Sequence, residues 1–147
     1  MEKKGQMKLS FGMIFSIILI IAFLAFAFYG IQKLMAFQEQ AKIVQFTEDF
    51  QRDLDRIHIA TFASEEIKYS FPSAISSICI IDEDYSNFIF KSKKLFDEKT
   101  FQHIDLEKTL DGRTSLCFEV VEGKVTLLLE KNYGEPQIKV SEVKSEF

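Results

Sequence analysis

The 147-residue chain has no tryptophan, two cysteines, two prolines, two histidines and six glycines. So few prolines and glycines exclude a collagen-like or low-complexity chain and leave long stretches without a helix breaker. Two cysteines cannot build a disulfide-dense scaffold or a four-cysteine zinc site. HExxH, CxxC, P-loop and GxSxG patterns are all missing, and with them the standard signatures of metal hydrolysis, phosphate binding and serine nucleophiles. Basic excess is missing too, since 22 acidic residues face 18 basic ones. One of the acids and four of the bases precede position 38, which leaves 21 acidic against 14 basic beyond it. A surface of that sign repels phosphate backbones and argues against nucleic acid as a partner.

Charge is also absent from one long run. The 24 residues from Leu9 to Gln32 (LSFGMIFSIILIIAFLAFAFYGIQ) carry none. As a helix at about 1.5 Å per residue they reach about 36 Å, and a bilayer core of about 30 Å needs roughly 20. A helix satisfies its own backbone polar groups, which lipid cannot do. The run predicts a membrane-spanning helix with the lipid bilayer as its partner. Ala25-Phe26-Ala27 mimics a signal-peptidase site. The apolar run already exceeds the roughly 7–15 residues of a removable signal before that point, so an uncut anchor is expected. Lys3, Lys4 and Lys8 crowd the N-terminal flank, while Glu39, Glu48 and Asp49 dilute Lys33 and Lys42 on the other. Positive charge tends to stay in the cytoplasm, which predicts a cytoplasmic N-terminus and an outer C-terminal domain.

Lys3-Lys4-Gly5 ahead of a long apolar helix resembles the class III signal of type IV prepilins. The resemblance covers about the first 35 residues. It implies peptidase cleavage between Gly5 and Gln6, followed by packing of the helix into a filament core with other pilin-like subunits. Lys8 and Ser10 would then take the third and fifth mature positions, where pilins usually carry an apolar residue and, in bacteria, Glu. The chain as a whole is similar to small one-span archaeal proteins with a QMKxSFGMIF-type start, which implies no function. Within the span, Gly12 and Ser16 share a helical face that Ala27 and Gly30 roughly continue. Small residues let membrane helices approach closely, so this face is a candidate for self-association.

Beyond the span, Ile43, Phe46, Phe50, Leu54 and Ile57 fall at spacings of three and four, one stripe of an amphipathic helix. No Gly or Pro lies between Ile31 and Glu66, so one helix is expected from about Ser10 to about Thr61. Its stripe either packs on the protein's own sheet or forms a coiled-coil stalk. After Ser64 the pattern turns strand-like, with Glu66–Phe71, Ile75–Asp82, Asn87–Ser92, Leu116–Val121, Lys124–Lys131 and Pro136–Val143 as candidates. Glu122-Gly123 reads as the turn of a hairpin between the fourth and fifth. Lys93–Leu110 is less legible, and no second helix stands out.

Cys79 and Cys117 both lie in predicted strands with apolar surroundings. An oxidising exterior permits a disulfide there, with both sulfurs facing one core. His58 and His103 read as ordinary surface or half-buried residues. Asp82, Asp84 and Ser86 have a calcium-like spacing, but Asn87 and Lys93 replace the Gly and Glu of an EF-type loop, so a solvated acidic turn is expected.

The sequence thus predicts an α+β chain: a cytoplasmic segment 1–8, a transmembrane helix 9–37, an amphipathic stalk helix 38–64 and an extracytoplasmic antiparallel β domain 65–147. No cofactor, metal or catalytic residue is expected. The expected function is a non-catalytic binding or accessory domain on a single-pass anchor, with a pilin-like or minor pilin subunit as the alternative.

Overall fold

The computed structural model describes residues 10–93 and 96–144. The candidate processing site, Gly5 and Gln6, lies outside them. Two units are distinguished, Met1–Gln38 and Glu39–Phe147.

Helix α1 runs from Phe11 to Ile59. In the first unit it carries 18 large apolar side chains between Phe11 and Phe37, each 41% to 84% exposed. Leaving such side chains in water costs about 1.5–3 kcal/mol apiece, so the set demands a cover. This segment is long and apolar enough to cross a membrane, with a mean hydropathy of 2.8 over its most apolar window.

In the second unit the chain continues through β1 (Ala63–Ser70), β2 (Ile75–Ile81), β3 (Phe88–Ser92), β4 (Phe96–Lys99), α2 (Leu106–Leu110), β5 (Ser115–Glu119), β6 (Lys124–Lys131) and β7 (Lys139–Glu142). All strand pairs are antiparallel. The expected single sheet is two: β1-β6-β7 and β4-β3-β2-β5. The expected hairpin is the reason for the difference. Its turn forms, with Glu122 and Gly123 both at positive φ and Val121 and Lys124 exchanging backbone bonds of 3.1 and 3.0 Å. The two strands then part, because β6 pairs along its whole length with β1 while β5 pairs with β2. Glycine suits position 123 in space as well, since a Cβ there would meet the Phe71 carbonyl oxygen at 3.2 Å, a tight contact that the backbone would have to yield to.

Phe46, Phe50, Leu54 and Ile57 are buried in one core, joined by Tyr69, Val125, Leu127, Leu129 and Val140 from one sheet and Ile78, Ile80, Phe88, Phe90 and Phe118 from the other. Ile43 is half-buried against the same core. The stripe therefore packs on the protein's own sheets. Phe50 is fully buried, with its ring centroid 4.8 Å from Phe101 and 5.5 Å from Tyr69, both edge-on. Seven aromatic rings meet here, and edge-to-face packing of this kind adds to what burial contributes.

A second helix exists after all. Asp105 caps α2 by accepting the Lys108 N–H at 3.0 Å, and Asp111 closes it in the left-handed conformation. Five residues are too few to show a helical period, and only the Asp cap marks α2 in the sequence.

Candidate functional site

Cys79 and Cys117 stand directly opposite on β2 and β5 and form a disulfide. Their sulfurs do not face the main core. Ile78 and Ile80 point into it, so the alternation of a strand turns Cys79 to the opposite side of the sheet. There Cys79 is 1% exposed in a small cluster with Ile81 and Ile89, while Cys117 is exposed.

Cys117 borders a cleft of about 800 Å³. One wall is β5, an edge strand. The other is β7, the edge of the second sheet, and α2 lies at one end through Lys108 and Thr109. The backbone of β5 is oriented by its pairing. Val120 N–H bonds the Ser76 carbonyl at 2.9 Å, which makes 120/76 a hydrogen-bonded pair and, by alternation, 118/78 and 116/80 as well. Ser115, Cys117 and Glu119 therefore aim their N–H and C=O groups away from β2. The edge of β7 is closed at its start. Ile138 exchanges backbone bonds with the segment His103–Asp105 (2.8 and 2.7 Å), and Val140 N–H donates to the Thr109 hydroxyl at 3.0 Å. Arg113, Lys139 and Lys144 line the cleft and make no ion pair among the described residues, while Lys108 pairs with Glu135.

Elsewhere the second unit is held by polar contacts that the sequence did not announce. Arg56 donates to both oxygens of Glu65 at 2.8 Å and to Asp53 at 3.2 Å, and Asp53 accepts from the Tyr69 hydroxyl at 2.8 Å. The Arg56 fork holds the Glu65 carboxyl below the usual carboxylate range, and the same hydrogen bonds raise Arg56. Burial, then the bond to Asp53, push the Tyr69 phenol well above its ordinary value. Lys131, itself buried, donates to the carbonyls of His58 and Ala60 and so caps the end of α1. No local pattern in the sequence pairs residues so far apart.

His58 and His103, read separately above, stack with ring centroids 3.7 Å apart, and His103 Nε2 lies 3.5 Å from Asp55. Among the described residues no group of three His, Cys, Asp or Glu is arranged to hold a metal. Of the calcium-like run, Ser86 is buried and donates to Glu98 at 3.0 Å. Gly12, Ser16, Ala27 and Gly30 are all exposed, and Ser16 donates to the Gly12 carbonyl at 2.8 Å. A Cβ at Gly30 would meet nothing within 4 Å, so the chain's own packing does not require that glycine.

No protein-family model matches this chain, and no curated protein or solved structure does.

Proposed function

We propose that this is a single-pass membrane protein whose helix anchors a non-catalytic binding or accessory domain on the outer face. The observation that carries it is the 18 uncovered apolar side chains from Phe11 to Phe37, which lipid would cover over the right length. The acidic balance after position 38 and the Lys3, Lys4 and Lys8 flank support the orientation. The disulfide fits an oxidising exterior. The test is protease treatment of intact cells carrying a tag after Phe147, with alkaline extraction of the membranes. The tag should be removed and the chain should stay in the pellet. A tag that survives alongside a cytoplasmic control would reverse the orientation.

A second reading is a pilin-like subunit, in which the same helix packs on neighbouring subunits. It is favoured by the Lys3-Lys4-Gly5 start and by Gly12 and Gly30, which the chain does not need for its own packing. Intact mass of the native protein separates the two. An intact Met1 fits the anchor, and a chain starting at Gln6 fits the filament subunit. In the second case Gly12→Leu abolishes assembly without unfolding the outer domain.

A further inference from the structure

Each of the two sheets has two edges, and three of the four are guarded. β1 carries Glu65, Glu66 and Lys68, and β4 carries Asp97, Glu98 and Lys99, charges of the kind that keep edges from pairing. β7 is covered at its start, by Thr109 on Val140 and by His103–Asp105 on Ile138 just before it, and carries Lys139 and Glu142. β5 (SLCFE) has a single charge, Glu119, and no strand or loop among the described residues pairs with its outer edge. The outward N–H and C=O groups of Ser115, Cys117 and Glu119 find no partner among the described residues. Those of Cys117, at the middle of the strand, open onto the cleft that β7 walls on its far side.

We propose that this cleft accepts one extended peptide strand from another polypeptide, hydrogen-bonded to β5 and carrying acidic side chains toward Arg113, Lys139 and Lys144. The proposal rests on the binding-domain reading and names its partner. Strand addition to a free edge supplies affinity through the backbone, and the flanking side chains select the sequence. The selection here is for negative charge, because among the described residues those three cations have no ion-pair partner and the cleft has Asp111 and Glu142 as its acids. A second copy of the domain does not fit as well. Its own β5 offers a single acid, Glu119, and brings the same three cations to the contact, so like charges would face each other.

The disulfide serves this site. It ties Cys117, the middle of the accepting edge, to the buried Cys79 one strand in, and holds β5 in register on β2.

The test uses the full chain in lipid nanodiscs and a short labelled peptide of alternating glutamate and valine, with two comparison peptides. One replaces glutamate by lysine, and the other is N-methylated on alternate amides. With the glutamate peptide at about 1 mM, hydrogen exchange at the Cys117 and Glu119 amides should slow, and the lysine peptide should bind about tenfold more weakly at low salt. Of the two ways to place alternate N-methyl groups, the one that blocks the amides facing β5 should fail and the other should keep binding. Glu119→Pro deletes one outward N–H while leaving the bonds of Leu116 and Phe118 to β2, a tolerated edge position for proline. It should lose binding, whereas Glu119→Gln should keep it. Arg113→Glu should narrow the gap between the glutamate and lysine peptides.

Equal binding of Glu119→Pro and Glu119→Gln, or of the plain peptide and both N-methylated forms, overturns the proposal. So does protection of Cys117 that appears without peptide and grows with protein concentration, which would mean β5 pairs with a second copy. If no peptide binds while the chain still resists alkaline extraction, the cleft proposal fails and the membrane anchor stands.

Discussion

The side-chain amide of Asn87 pairs with the backbone of Phe101 in both directions. Its Nδ2 donates to the Phe101 carbonyl at 2.7 Å and its Oδ1 accepts the Phe101 N–H at 2.8 Å. Both residues are buried, so neither backbone group has water to fall back on. The pair ties the start of β3 to the chain after β4 and fixes the Phe101 ring against Phe50. An acidic turn was expected just before Asn87, and the residue that matters is the amide at its end.

Asn87→Ala should therefore destabilise the outer domain by about 2–4 kcal/mol, because two buried backbone groups lose their partner at once. Asn87→Asp should cost at least as much. It keeps an acceptor for the Phe101 N–H but has no donor for the carbonyl, and it brings a charge into a buried place. Chemical denaturation of the two variants checks the order. An Asp variant as stable as the wild type would mean that the Phe101 carbonyl does not depend on Asn87.

For the disulfide, the asymmetry of exposure gives an outcome that simple bonding does not. After reduction of the folded protein, an alkylating agent should label Cys117 well before Cys79, which is 1% exposed. Cys79→Ser should lower stability by about 4 kcal/mol on the chain-entropy account, given a sequence separation of 38 between the two. Labelling of both thiols in unfolded but unreduced protein would show that no bond had formed.

How much of this was legible depended on whether the signal was local. The α1 stripe was plain because Phe46, Phe50, Leu54 and Ile57 repeat at the helical period, and β1 was plain because Ile67 and Tyr69 alternate. The two-sheet arrangement was not. Residues 122 and 123 carry the signature of a tight turn and the turn is there, but pairing beyond it is decided by β1 and β2, dozens of residues away. The expectation that both sulfurs share one core failed for a related reason. Apolar surroundings at Cys79 come from Ile78 and Ile80, whose side chains point to the other face of the strand. The cleft was invisible because it is built from strand edges, and edges belong to the topology rather than to any stretch of residues.

Tyr69 links the structure to pH. Its phenol is raised above its ordinary value of 10.0, first by burial and then by its bond to Asp53. A group with a raised folded value stabilises fully below its unfolded value and loses that contribution as pH climbs through the folded one. Stability should fall above about pH 10 by up to about 1.4 kcal/mol per pH unit from this group. Tyr69→Phe should remove that component and cost about 1 kcal/mol at neutral pH through the lost hydroxyl bond. If the alkaline slopes of the two proteins coincide, Tyr69 is not the group responsible.

Glu65 has the opposite sign. Its carboxyl is held low by the Arg56 fork, so its contribution is present above the unfolded carboxylate value and fades as pH falls through the folded one. The pair is largely exposed, with side-chain accessibilities of 53% and 40%, so its worth is about 0–1 kcal/mol. Arg56→Ala should trim stability by that much near neutrality and flatten the acid limb. A loss well beyond it would point instead to the Tyr69–Asp53 bond, whose carboxylate also accepts from Arg56.

The stripe on α1 offers the most direct comparison of covered with uncovered helix. Phe50 is fully buried and touches Phe46, Tyr69, Phe88 and Phe101. Truncation to Ala removes a ring that four others pack on, and close-packed surroundings relax only in part. The expected cost is about 3–5 kcal/mol. Val44, on the same helix but 56% exposed, should tolerate Val44→Ala within about 0.5 kcal/mol. A fragment that begins near Gln38 should fold as a monomer, since the residues that bury Phe50 all follow that point. The checks are sedimentation of the fragment and urea unfolding of both variants in it. If Phe50→Ala proves as mild as Val44→Ala, the sheets do not cover that face. The stripe would then need a partner helix, and a coiled-coil stalk would be the better account.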